Sequence, residues 1–288
     1  MQTAIPIAIV AAIGLLACDA VNAQSSRTGR VDILYVATKS AELKPVYEYL
    51  KEKRALEKIR GILSPLRLPH RLTIRAQDCD GVSNAWYDEG TVTICYEFVD
   101  DIWKNAAAET TAAGVSPIDT VLGPLADVVL HEVGHAVFDI WKVPIFGREE
   151  DAADQFSAYI MLQFKKDDAR RLILGNAYQY KNDIRPDAPI ALTKFADEHG
   201  TPAQRFYNVL CLAYGSDPKF YQDIVDKGYL PQARSEGCED EYAQVSHAFK
   251  TLIGPHIDHK HAKMQQQGIR LAPVDTAPRL RPAQVKTD

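Results

Sequence analysis

The sequence predicts an α+β fold in which a small, mostly antiparallel sheet comes first and a mainly helical C-terminal half follows. Three observations carry this reading. Short β-like segments with turn residues between them are confined to the first hundred residues. From residue 118 onward the apolar residues recur at helical spacing over long stretches. No internal repeat and no Pro/Gly/Ser-rich linker divides the chain, so one domain over residues 31–263 is the economical organisation.

The elements follow in order. Val31 to Ala37 alternates as a strand does. Glu42 to Ile62 is amphipathic, with Val46, Leu50, Ala55 and Ile59 near helical spacing and charges between them; Pro65 and Pro69 close it. Arg71 to Gln77, Asn84 to Tyr87 and Thr91 to Phe98 are short strands, the last two joined by the turn Asp88-Glu89-Gly90. Asp100 to Ala113 is helical and ends at Gly114 to Pro117. A long apolar helix covers Ile118 to Ile140 and is broken by Pro144 and Gly147. The next helix, Arg148 to Phe164, places Glu149 and Glu150 in its first turn, where the helix dipole favours carboxylates. Helical patterning continues to about Ile253, and residues 264–288 have the composition of a disordered tail.

Hydrophobic residues make up 46% and charged residues 25% of 288, enough for a real core. A net charge of −5 argues against a nucleic-acid binder and gives no attraction to an anionic membrane. Ile5 to Ala17 is an apolar run too short to span a bilayer comfortably, followed by the small-residue cleavage pattern Val21-Asn22-Ala23. Residues 1–23 therefore form a signal peptide and 24–30 a flexible linker, although Met1-Gln2-Thr3 brings no basic side chain. A lipobox reading of Leu15-Leu16-Ala17-Cys18 stands beside it and would anchor the protein through Cys18. Either way the expected compartment is outside the cytoplasm, periplasmic or secreted.

Four further cysteines, an even number, suit disulfides in such a compartment. Of the three possible connectivities, the local pairs Cys79–Cys95 and Cys211–Cys238 are preferred because each lies within one substructure. Buried free thiols are the plainer alternative. With no Cys-x-x-Cys pair, neither a redox motif nor a thiolate zinc site is indicated.

The chemistry concentrates at His131-Glu132-Val133-Gly134-His135. Histidines four apart on a helix project from one face and can bind one zinc ion, while Glu132 between them can take a proton from a water that the metal acidifies. Glu132 is the only charge between Asp127 and Asp139, and burying a carboxylate among apolar residues needs a reason that a metal supplies. A pair of hydrogen-bonded core histidines is the bland alternative. A catalytic site wants a third protein ligand and an open fourth position. No third histidine follows closely, and the next helix carries Glu150 and Asp154 four apart: Glu150 as ligand, Asp154 as acceptor of the outer N–H of a liganding histidine. Glu149 and Asp151 read as a solvated first turn.

This Glu-x-x-x-Asp after a His-Glu-x-x-His helix resembles the thermolysin-like zincins, or gluzincins. More closely, His131 to Ala136 with Gly147 to Phe156, Asn84-Ala85-Trp86-Tyr87, Ile94 to Glu97 and Gln204 to Asn208 before Cys211 are similar to a bacterial family assigned as zinc metallopeptidases, otherwise uncharacterised. The resemblance covers most of residues 41–256. It implies a zincin-like fold in which the small sheet packs with the active-site helix, His131, His135 and Glu150 as zinc ligands, and Glu132 as base. A peptide or protein would be the substrate, and the resemblance does not say which.

A donor for the developing oxyanion is also required. His199 is the candidate, with Arg205 and Tyr207 behind it; a surface histidine beside a helix start is the plain reading of His199. The strand Thr91 to Glu97 is expected at the sheet edge, where an extended peptide would pair. The cluster His256, His259 and His261 has no carboxylate or cysteine support and reads as a solvated segment. Two functions remain: a zinc peptidase, or a non-catalytic zinc-binding envelope protein that recognises a peptide or cell-envelope partner. The intact Glu132 favours the enzyme.

Overall fold

The computed structural model describes residues 31–185 and 191–260; the expected signal peptide, linker and tail lie outside the described residues. The sheet holds β1 (Val31–Tyr35), β2 (Leu72–Gln77), β3 (Ala85–Asp88) and β4 (Thr91–Cys95) in the order β1-β2-β4-β3. The α+β class stands as read. The pairing is mixed rather than mostly antiparallel: β1–β2 and β2–β4 are parallel, and only β3–β4 is antiparallel. Connection length explains it. Helices α1 (Lys44–Glu52) and α2 (Ala55–Leu63) form a crossover that returns the chain parallel, whereas the tight turn at Gly90 permits only an antiparallel return. The hairpin also puts β4 inside the sheet and β3 at its edge, correcting the expectation that Thr91 to Glu97 forms the edge.

The amphipathic segment from Glu42 splits into α1 and α2 at Arg54, which takes a left-handed conformation with φ 51°. Tyr35 at the end of β1 sets the new start: its hydroxyl accepts from the Leu56 N–H at 3.0 Å and donates to Glu57 at 2.8 Å. Helix α3 (Tyr96–Lys104) begins earlier than expected, directly from β4. Tyr96, Val99 and Ile102 supply its buried face, and beyond Lys104 that apolar spacing runs out.

Helix α4 (Asp119–Trp141) is the centre of the molecule. It is long and apolar enough to cross a membrane, yet it is buried along most of its length inside the fold, packed between β3 and β4 on one side and α5 (Glu149–Leu162) and α6 (Lys166–Asp183) on the other. Glycines permit that packing. A Cβ on Gly123 would fall 2.4 Å from the Asn176 nitrogen, and one on Gly175 would fall 2.0 Å from the Asp119 oxygen, so the α4 and α6 backbones touch. Gly134 does the same, less tightly, against Ala153 and Phe156 of α5, at 3.3 Å. Helices α7 (Pro202–Ser216), α8 (Pro218–Asp226), α9 (Gln232–Ser235) and α10 (Cys238–Leu252) complete the helical half. A disulfide Cys79–Cys95 ties the segment after β2 to the end of β4, and Cys211–Cys238 ties α7 to α10. Two disulfides belong to an oxidising compartment and so to an exported protein.

Candidate metal centre

One helical turn separates His131 from His135 on α4, and their Nε2 atoms come within 3.2 Å of each other. Because α5 packs onto α4 through Gly134, its first turn reaches the same place. Glu150 Oε2 lies 2.9 Å from His131 Nε2 and 3.4 Å from His135 Nε2. The other ring nitrogens are held from outside: His131 Nδ1 bonds to Asp154 Oδ1 at 2.8 Å and His135 Nδ1 to Glu149 Oε1 at 2.8 Å. Glu149 is thus not merely solvated, as its sequence position suggests; it orients the second histidine. Asp151 pairs with Arg148 on the surface.

This geometry fits a metal. With both Nδ1 atoms donating to carboxylates, the Nε2 lone pairs of two imidazoles and an oxygen of Glu150 point into one space. A tetrahedral ion bound at about 2.0–2.1 Å spaces its donors by about 3.3–3.4 Å, close to the separations seen. Without an ion, protons take its place. Burial works against charge on His131, but the hydrogen bonds it donates to Asp154 and Glu150 outweigh it and raise its pKa to about 10. Burial likewise disfavours charge on Glu150, and the hydrogen bonds from His131, His135 and His199 override it, holding the carboxyl far below its ordinary range. Protons and a cation compete for the same donors.

Glu132, beside the first histidine, is only 7% exposed, lines the cleft, and takes no hydrogen bond or ion pair among the described residues. Burial raises its pKa, with His131 and His135 pulling it partly back. His199 is brought to the site: its Nε2 lies 2.9 Å from Glu150 Oε2, and its ring stacks over His131 at a centroid distance of 6.0 Å. Arg205 also lines the cleft, with two of its nitrogens committed to Asp154. From α7 it grips Asp154 with two bonds, Nε to Oδ2 at 2.7 Å and Nη2 to Oδ1 at 2.5 Å, which with His131 lowers the pKa of Asp154 to about 2 against the effect of burial. Tyr207 is half-exposed and packs on Phe206, away from the cleft lining. His256 stacks on Trp141 at 4.2 Å, His259 is exposed, and His261 lies outside the described residues.

Behind the donors stands a layer the sequence reading missed. The Arg205 guanidinium sits 4.6 Å from the Tyr180 ring, the Tyr180 hydroxyl donates to Asp127 at 2.8 Å, and Ser157 donates to the other Asp127 oxygen at 2.6 Å. Burial holds the Asp127 pKa above its ordinary value. Asp127 precedes His131 by four residues on the same helix face, and that spacing was the available signal. Tyr180 had none, since it arrives from α6. Together these groups and β3 enclose a cleft of about 500 Å³, with α4 as floor, Asn84 to Tyr87 on one wall, α6 on the other and His199 at the rim.

No curated protein and no solved structure matches the chain. A family model described as "Putative metallopeptidase" matches residues 35–253, a span that contains the whole cleft. The chain therefore belongs to that metallopeptidase family.

Proposed function

We propose that the protein is a zinc-dependent peptidase that hydrolyses peptide bonds outside the cytoplasm, with Glu132 as general base. The observation that carries this reading is the convergence of His131 Nε2, His135 Nε2 and Glu150 Oε2 beside a buried carboxylate that has no partner of its own. The first three would hold the ion. Zinc, when bound, supplies a Lewis acid that brings the pKa of a water to about 7 and polarises a carbonyl. Glu132 takes a proton from the attacking water and passes it to the leaving nitrogen as the C–N bond breaks. His199, exposed at the rim, would donate to the oxygen that gains charge once Glu150 leaves its Nε2 for the ion; its Nδ1 faces Asp197. Asp154 fixes the His131 tautomer.

The substrate would lie along the free edge of β3 as an added strand, across the floor of α4. Export through cleavage after residue 23, with lipidation at Cys18 as the alternative, completes the reading and agrees with the two disulfides. A non-catalytic metal domain gives no reason for a buried, unpartnered Glu132.

The test is Glu132→Gln in protein prepared from residue 24 and loaded with zinc. Bound zinc should stay at one per chain while hydrolysis of casein falls by about 10²–10⁴-fold. His135→Ala should lose the metal itself. A Glu132→Gln protein as active as wild type would overturn the mechanism.

A further inference from the structure

The wall of the cleft opposite β3 carries a second feature. Asn176 of α6 is 2% exposed and lines the cleft, and its carboxamide makes no hydrogen bond among the described residues. Its amide atoms are not sealed from solvent, so the donor and acceptor stay open to a ligand that can replace water there. It cannot withdraw, because α6 is locked to α4 by the contact between Gly123 and the Asn176 backbone. Its polar neighbours are engaged with other groups: Asp127 accepts from Ser157 and Tyr180, and Gln179 donates to Asp183.

A carboxamide offers one acceptor and a pair of donors, the complement of a peptide group's N–H and C=O. A strand laid on β3 spends one edge of its main chain on the sheet and turns the other towards α6. The α4 residues beside Asn176 in the cleft, Pro124, Asp127 and Val128, precede His131 by one to two turns, about 5–11 Å along the axis. Extended chain covers that distance in about two to three residues.

The geometry points to Asn176 as a main-chain anchor for an extended peptide substrate, holding the residue two or three positions from the scissile bond on the edge that faces away from β3. The anchor rests on the peptidase reading above and extends it: recognition at this position is of the peptide backbone, so side-chain identity there matters little. Its neighbour in the wall, Asp183, stays exposed and tied to Gln179, and takes no part.

The experiment is steady-state cleavage of casein by the zinc-loaded wild type, Asn176→Leu and Asn176→Asp, with zinc content and melting temperature recorded for each. The Leu variant is expected to raise KM about tenfold and leave kcat within about twofold, with zinc still at one per chain. KM within about twofold of wild type in a zinc-loaded Leu variant would overturn the anchor and leave the peptidase reading standing. Should the Leu variant lose zinc or melt early, Asn176→Asp decides: it is nearly isosteric, but exchanges the NH2 donor for an acceptor oxygen that can also carry charge. A KM raised about threefold or more supports the anchor, and an unchanged one refutes it. Casein left uncut by the zinc-loaded wild type removes the peptidase reading and the anchor together.

Discussion

His131 is held from two sides, and the outer side is the more fragile. Its Nδ1 bonds to Asp154, and Asp154 is itself clamped by Arg205 from a different helix. Asp154→Asn keeps the shape but offers an amide that can face the ring with a donor, which selects the wrong tautomer for binding through Nε2. Zinc affinity, measured against a competing chelator, should fall about 10–100-fold. The variant should also melt earlier, since the half-buried Arg205 loses its charge partner. An unchanged affinity would show that Asp154 does not set the ring. The i, i+4 logic that marked His131 with His135 and Glu150 with Asp154 was legible because it is local to single helices. Glu149, Arg205 and Tyr180 were misread or missed because their roles depend on which side chain another helix places opposite them.

At the scale of elements, the α4–α6 crossing decides whether the cleft has a second wall. Gly175 admits the Asp119 carbonyl where a methyl group would fall 2.0 Å from it. Gly175→Ala must therefore push the two helices apart. A loss of about 1–3 kcal/mol in urea unfolding is expected, in the range seen for overpacked cores. A variant as stable as wild type would mean that the crossing yields without strain. Helix existence was readable here from apolar periodicity, as α4 and α5 show within a residue or two of their expected ends. Boundaries were not readable where a tertiary group sets them. The Tyr35 hydroxyl starts α2, and α3 begins four residues early because Tyr96 is anchored by its own hydroxyl to the Val36 carbonyl.

Across the whole molecule, the disulfide Cys211–Cys238 joins α7, which carries Arg205, to α10. Closing a loop of 27 residues in the unfolded chain contributes about 3.5 kcal/mol in the chain-entropy account. The double variant Cys211→Ala with Cys238→Ala should lower the melting temperature by several degrees, on the order of 2–4 °C per kcal/mol for a domain of this size. A melting temperature that does not move would argue that α7 and α10 are held by packing alone. The sheet belongs to this scale as well. Its strands were identifiable one by one, but their order β1-β2-β4-β3 was not, because pairing depends on how the crossover and the hairpin return.

What the sequence determined by itself was local chemistry: two histidines and a glutamate on one apolar helix, two carboxylates one turn apart on the next, and strands before helices. Each is a periodicity of 3.6 or 2.0 residues written along the chain, and a helix or strand reproduces it wherever it packs. Tertiary structure alone decided that β3 is the edge, that Arg205 faces Asp154, that Glu149 serves His135, and that Asn176 looks into the cleft without a partner. These are contacts between elements far apart in sequence, set by close helix crossings at Gly123, Gly134 and Gly175, and no period along the chain encodes them.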